Sequence, residues 1–145
     1  MDTYETLNNA LVNLFRDVMD LEEHAIITSE YSDITNNDMH VIEAVGLGEP
    51  KNMSAIAKLL SVTVGTLTIA MNSLVKKGYV DRTRSEEDRR VVLISLSGKG
   101  KKAYLHHRRF HEQMIDAILK ELSEEEQRAL ESALSKLTRF FREVS

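Results

Sequence analysis

The sequence contains no cysteine and only one proline, with six glycines among 145 residues. Without cysteine the chain cannot form disulfides, thiolate metal sites or thiol-based redox switches. So few prolines and glycines leave little material for turns, and we therefore expect long helices. The sequence also lacks an apolar run of about 18 residues and a basic region followed by an apolar stretch at the N-terminus. We therefore expect a cytoplasmic protein with no secretory signal and no association with a membrane.

Patterns typical of enzymes are missing as well. There is no glycine-rich phosphate loop, no distinctive pair of acids and no recognisable triad among the serines and histidines. We expect neither an enzyme nor a protein with a bound cofactor.

The net charge of −4 conceals a strong asymmetry along the chain. Residues 51–110 contain 13 lysines and arginines but only 4 acids, whereas the rest of the chain is strongly acidic. This sorting of charge by sign indicates a middle segment that binds a polyanion. Chance clustering on a solvated face is the alternative.

Apolar residues at both ends of the chain alternate in steps of four and three, which predicts amphipathic helices with a narrow apolar stripe. The C-terminal helix has a capping box, with Ser123 as N-cap and Glu126 three residues on. Pairing between two chains would cover both stripes, and packing within one chain is the alternative. The stripes consist of Leu7, Leu11, Leu14, Val18, Leu21 and Ala25, and of Leu130, Leu134, Leu137, Phe141 and Val144.

Short elements lie between these ends. "MSAIAKLL" and "TVGTLTIAMNSLVKK" predict two helices joined by a tight turn in which Ser61 takes a position often held by glycine. "YVDRTR" and "VVLISL" then predict a β-hairpin with a six-residue polar tip. Two helices, a tight turn and a hairpin predict a winged helix-turn-helix. The expected fold class is mainly α, with six helices and a small β-hairpin wing.

We predict a single domain over residues 1–145, in which residues 36–96 form the winged helix-turn-helix. The N- and C-terminal helices, residues 1–30 and 97–145, would form the dimerisation part.

The second of the two short helices has an unusual outward face. Its apolar positions Val64, Leu67, Met71 and Leu74 should point inward. Threonines, a glycine and an isoleucine make a poor solvated surface, but they suit contact with base edges in a DNA major groove. The outward set comprises Thr63 at the cap, where backbone N–H groups could meet a phosphate, and Gly65, Thr66, Thr68, Ile69, Asn72 and Lys76.

The hairpin tip "RTRSEEDRR" concentrates arginines. Arg89 and Arg90 can enter a minor groove, and Asp88 can brace a guanidinium through paired N–H···O bonds. Arg82 and Arg84 share one face of their strand and could reach backbone phosphates. A solubility-promoting hairpin with local ion pairs is the alternative.

The stretch "KKGYVDRTRSEEDRRVVLISLSGKG" resembles the wing signature of the MarR family of bacterial regulators, here Asp88, Arg90, Leu96, Ser97 and Gly100. The resemblance covers essentially the whole chain. It implies a homodimer that binds an operator in double-stranded DNA, with Arg90 in the minor groove, Asp88 as its brace and residues 63–77 in the major groove. Ile69 departs from the polar or basic residue that many members carry.

"DMH", "TVGTLTIAMNSLVKKGYV", "RSEEDRRVV" and "HHRRFHEQM" are similar to the FabT-type subgroup of that family. This resemblance implies a repressor of fatty-acid biosynthesis genes whose co-repressor is the long acyl chain carried by acyl carrier protein. A regulator that responds to a small apolar or aromatic ligand, or to zinc, is the alternative.

The histidine-rich stretch "HHRRFHEQM" allows three interpretations. It is a plain solvated surface, or a docking surface for the acidic carrier protein formed by His106, Arg108 and Arg109, as the FabT-type resemblance implies. The third is a zinc site, in which His107 and His111, four residues apart, join His40 and Glu22 or Glu23.

Overall fold

The computed structural model describes residues 2–27 and 30–144. The chain divides into two compact units, Met1–His107 and Arg108–Ser145. The predicted boundaries at 36–96, 1–30 and 97–145 stay predictions.

The N-terminal helix is not a uniform α-helix. Asp2 caps its first turn by accepting a hydrogen bond from the backbone N–H of Glu5 at 2.8 Å. A five-residue π-helical segment interrupts it, and a π turn shifts the phase of the apolar stripe. The successive parts are α1 (Thr3–Asn9), the π-helical segment (Ala10–Leu14) and α2 (Phe15–Ile27).

Three further helices build the core of the first unit. A capping box starts the first of them, with Thr35 and Asp38 exchanging hydrogen bonds at 3.0 and 3.1 Å. Asn52 and Thr63 cap the other two. Their bounds are Asn36–Val45 (α3), Met53–Leu60 (α4) and Val64–Lys76 (α5). The most deeply buried large side chains include Met39, Ile42, Ile56, Leu67, Met71, Leu74, Tyr79 and Ile94.

The predicted hairpin is present, and it carries an additional strand. The strands are Lys51–Asn52 (β1), Val80–Arg84 (β2) and Val92–Leu96 (β3). They form an antiparallel sheet in the order β1-β3-β2, with Arg82 opposite Ile94 and Val80 opposite Leu96. The segment "LGEPKN", which contains the only proline, indicates a turn by its sequence, but its last two residues pair with β3. A two-residue strand is too short to show an alternating pattern, so nothing in the sequence marks it.

Two long helices complete the chain, α6 (Gly98–Lys120) and α7 (Glu124–Val144). The hydroxyl oxygen of Ser97 accepts from the N–H of Gly100 at 3.1 Å and so caps α6. The predicted capping box of α7 is confirmed, because Ser123 and Glu126 exchange hydrogen bonds at 2.9 and 3.2 Å.

Among the described residues, no single helix is both long and apolar enough to cross a membrane. Within the part of the chain that the structure describes, α4 and α5 taken together reach the required length and composition, and they are bent by 107°.

Candidate nucleic-acid interface

The turn between α4 and α5 sets the geometry of the site. The two helices meet at 107°, and the backbone of Ser61 makes the bend in the left-handed region at φ 56° and ψ 43°. The N–H of Val62 closes the turn by donating to the carbonyl of Ala57 at 3.0 Å. The predicted tight turn at Ser61 is therefore confirmed.

One face of α5 packs into the core of the first unit. Leu67, Met71 and Leu74 are at most 2% exposed. Val64 was predicted to point inward with them, but this prediction is wrong, because Val64 is 43% exposed. It is the first residue of α5 and lies before the turns that pack on the core.

The opposite face of α5 is open to solvent. Ile69, at its centre, is 76% exposed, and Thr68 is half-buried. The other predicted positions, Thr63, Gly65, Thr66, Asn72 and Lys76, are all exposed.

The hydroxyls of Thr63, Thr66 and Thr68 already have partners within this helix. Thr63 Oγ1 caps α5 by accepting from the N–H of Thr66 at 3.1 Å, so that N–H is not left for a phosphate. The hydroxyl of Thr68 donates to the carbonyl of Val64 at 2.7 Å. The helix start therefore offers fewer donors than the sequence suggested.

At the tip of the wing, Arg90 and Asp88 form a fork. The Nε and Nη2 atoms of Arg90 donate to the two carboxylate oxygens of Asp88, each at 3.0 Å, and the backbone N–H of Arg90 adds a third bond at 3.1 Å. These hydrogen bonds, the side-chain pair above all, hold the pKa of Asp88 below its usual value. The Arg90 side chain nevertheless stays 91% exposed. The geometry is that of a braced guanidinium facing solvent.

The other wing arginines bond within the protein. Arg84 Nη1 donates to the carbonyl of Arg89 at 2.9 Å, across the base of the tip. Arg82 Nη1 donates to Oδ1 of Asn72 at 2.8 Å, which links β2 to α5. Sequence reasoning assigned Arg82 to a phosphate and Asn72 to a base, and it missed their contact with each other.

A polar cluster that the sequence did not reveal lies at the root of the wing. The buried Tyr79 donates its hydroxyl to Asp33 Oδ1 at 2.5 Å, and burial followed by this hydrogen bond raises the pKa of Tyr79. Lys99 lies 4.3 Å from the centre of the Tyr79 ring and 3.7 Å from Asp33. Lys77 Nζ donates to the carbonyl of Asp33 at 2.6 Å. The residues are distant in sequence, so no local pattern indicates them.

The histidines of α6 differ in their surroundings. In the first unit His107 is buried, with Nε2 2.6 Å from Glu43 Oε1, and half-buried His106 packs against the ring of Tyr31 with centroids 5.4 Å apart. In the second unit Arg108 and Arg109 are exposed. The docking and zinc interpretations both stay predictions.

A tight helix–turn–helix followed by an antiparallel hairpin defines a winged helix-turn-helix protein. Residues 32–91 match the family model described as MarR family. The solved structure of Streptococcus pneumoniae FabT in complex with DNA is similar to this chain at 37% identity, covering 98% of this chain and 99% of that one, with a TM-score of 0.93. The chain belongs to the MarR family of winged helix-turn-helix transcriptional regulators. It is by class a DNA-binding regulator and not an enzyme.

Curated relatives agree with this assignment. The HTH-type transcriptional regulator YwhA of Bacillus subtilis is 27% identical over 131 residues, which cover 90% of this chain and 91% of that relative. YhjH of the same organism is 30% identical over 88 residues, 61% of this chain but only half of that relative.

Proposed function

We propose that this protein is a homodimeric repressor that binds a pseudo-palindromic operator in double-stranded DNA, with α5 in the major groove and the wing in the minor groove. The observation that carries the proposal is the fork at the wing tip. A guanidinium fixed by two parallel hydrogen bonds and still 91% exposed has its direction set before any partner arrives. Such preorganisation suits insertion into a narrow groove of negative potential. The similarity to FabT, which was solved with DNA, supports the same conclusion.

Dimerisation is supported by apolar surface in each of the two units. In the first unit Leu7, Leu11 and Leu14 are at least 55% exposed. In the second unit Leu134 is 52% and Phe141 60% exposed. Contiguous apolar surface of this kind typically marks a protein interface, and a second copy of the chain is the occupant we propose. Its two-fold symmetry would place the half-sites about one helical turn of DNA apart.

Replacing Arg90 by alanine tests DNA binding. A lost groove contact of about 1–3 kcal/mol lowers operator affinity roughly 5- to 150-fold. Fluorescence anisotropy on an operator found by DNA selection measures the change. Arg128→Ala, which removes the same charge from an exposed position on α7, is the matched control. If Arg90→Ala bound the operator as tightly as the unchanged protein, the wing tip would not contribute to DNA binding.

We further propose that the regulated genes serve fatty-acid biosynthesis and that long-chain acyl carrier protein is the co-repressor. The resemblance of "RSEEDRRVV" and "HHRRFHEQM" to the FabT-type subgroup and the similarity to FabT over nearly the whole chain support this proposal. The exposed cations Arg108 and Arg109 offer the charge that an acidic carrier requires.

Mobility shifts with carrier protein bearing long, short or no acyl chains test the co-repressor. Only the long-chain form should raise operator affinity, and Arg108→Glu with Arg109→Glu should abolish that increase. Affinity that is the same with all three carriers would contradict the co-repressor while leaving DNA binding intact.

A further inference from the structure

The hydrogen bond between Arg82 and Asn72 connects the two parts of the proposed interface. Asn72 lies on the solvent-exposed face of α5, and Arg82 lies in the middle of β2. Nη1 of Arg82 is 2.8 Å from Oδ1 of Asn72. Both side chains are exposed, so the contact is on the surface and is not required to fill the core.

The register of the sheet explains why Arg82 reaches α5. Arg82 pairs directly with Ile94, whose side chain is fully buried. Directly opposite residues of an antiparallel pair project from the same face of the sheet. The stem of Arg82 therefore leaves the strand on the side of the core, where α5 packs, and its guanidinium emerges beside the exposed face of that helix.

The chemistry of the two side chains fixes the orientation of the amide. A guanidinium only donates hydrogen bonds, whereas a carboxamide has an oxygen that accepts and a nitrogen that donates. The atom of Asn72 that meets Arg82 must therefore be Oδ1, and Nδ2 lies on the other side of the amide. The reverse orientation would place N–H groups against a cation.

We propose that Arg82 is a positioning residue for base recognition, which holds Asn72 so that its N–H donors meet an acceptor edge of a base. Guanine O6 and N7 or thymine O4 present such an edge in the major groove. Bidentate pairing with adenine needs the oxygen and the nitrogen of Asn72 to face the base together, and Arg82 holds the oxygen. This inference rests on the proposed function. It replaces the expectation that Arg82 serves a phosphate, and it specifies the base edge that Asn72 would contact.

A positioning role and a phosphate contact have different signatures. Loss of a phosphate contact weakens binding to all sequences about equally and reduces the salt slope by about one. Loss of positioning relaxes the base preference at one position of each half-site and leaves the other positions unchanged.

The experiment compares base preferences by DNA selection at fixed salt for the unchanged full-length protein, Arg82→Met, Asn72→Ala and the double variant. We expect a guanine or thymine preference at one position per half-site, weakened roughly 5- to 150-fold in each single variant. The double variant should lose no more than either single one, which is the mark of coupled residues. Arg84→Met is the matched control for the base preference, because that guanidinium bonds the carbonyl of Arg89 and not Asn72. Loss of this wing arginine should lower affinity for all sequences alike and leave the base preference unchanged.

Asn72→Asp provides a second readout that does not depend on the Arg82 variants. It keeps an oxygen for Arg82 but has no N–H donors, so the preference for an acceptor edge should disappear. Thermal unfolding followed by circular dichroism identifies any variant that fails to fold.

Three outcomes would overturn the inference. They are an adenine preference that depends on Asn72, additive losses in the double variant, and a uniform loss across sequences with a lower salt slope in Arg82→Met. Absence of any sequence preference in the unchanged protein would instead contradict the proposed operator binding, and the inference would fall with it.

Discussion

Ser61 carries a side chain in a backbone conformation that favours glycine. At φ 56° it is the one non-glycine residue with positive φ among the described residues. Ser61→Gly should raise the free energy of unfolding by up to about 1 kcal/mol, because glycine adopts this conformation without steric cost. Urea unfolding measures the change.

Ser54→Gly is the matched control, since Ser54 is exposed within the right-handed turns of α4. There glycine should lower stability by roughly 0.5 kcal/mol. Changes of the same sign at both sites would contradict the role assigned to the conformation of Ser61.

Gly100 is required for a close approach between two backbones. A Cβ placed on it would lie 2.0 Å from the carbonyl oxygen of Tyr79. Gly100→Ala should therefore lower the free energy of unfolding by about 2–3 kcal/mol, since the neighbouring group is backbone and cannot change rotamer. Urea unfolding of Gly98→Ala provides the control, because its Cβ would meet no described atom within 4 Å. Equal stability of the two variants would show that α6 can move away from Tyr79.

Proximity in sequence decided which residue contacts were predictable. The Asp88–Arg90 fork spans two residues, so its geometry follows from local sequence alone. The Arg82–Asn72 bond depends on the register of β2 against β3 and on the angle at which α5 passes the sheet, neither of which local patterns determine. Sequence reasoning therefore named both residues and assigned them separate partners.

At the scale of elements, Asp33 connects the segment before α3 with the end of α5 and the start of α6 through hydrogen bonds and an ion pair. The hydrogen bond from Tyr79 is the largest cause that lowers the pKa of Asp33, and Lys99 and Lys77 lower it further. A carboxylate with a lowered pKa stabilises the folded state above its unfolded value of 3.8. That contribution is lost as pH falls through the lower, folded value.

The prediction is that Asp33→Asn reduces the loss of stability on acidification below about pH 4. Urea unfolding from pH 7 to pH 3 measures the change. Tyr79→Phe should also reduce the loss of stability at acid pH, but only in part. Asp81→Asn, at an exposed position on β2, serves as control. If Asp33→Asn lost as much stability at acid pH as the unchanged protein, the pH dependence would have to come from other carboxylates.

Elements with a strong local signal were predicted well. The caps at Thr63 and Ser123 and the turn at Ser61 all lie where the sequence indicated. The π-helical segment Ala10–Leu14 was missed, because leucines spaced four and three apart fit an uninterrupted α-helix equally well. The strand β1 exists only by pairing with β3, so tertiary structure alone creates it.

At the scale of the whole molecule, the exposed apolar stripes should control association. Leu134→Glu, at a position 52% exposed on α7, places a charge in the proposed dimer interface and should convert dimers to monomers at micromolar concentration. Sedimentation velocity measures the state of association, and operator affinity should fall with it. Leu47→Glu, at a similarly exposed leucine outside the stripes, is the control. If Leu134→Glu remained dimeric, α7 would not be part of the dimer interface.

The contact of Gly100 with Tyr79 also has a mechanical consequence. The carbonyl oxygen of Tyr79 lies against Gly100 and accepts from the N–H of Ser97 at 3.0 Å, and the Ser97 hydroxyl donates to the carbonyl of Gly78. Because backbone contacts backbone here, neither segment can adjust by a change of side-chain rotamer. The start of α6 and the beginning of β2 should therefore move together as one rigid unit. A tilt of that helix start would swing the hairpin by the same angle, and the displacement would be largest at its far end.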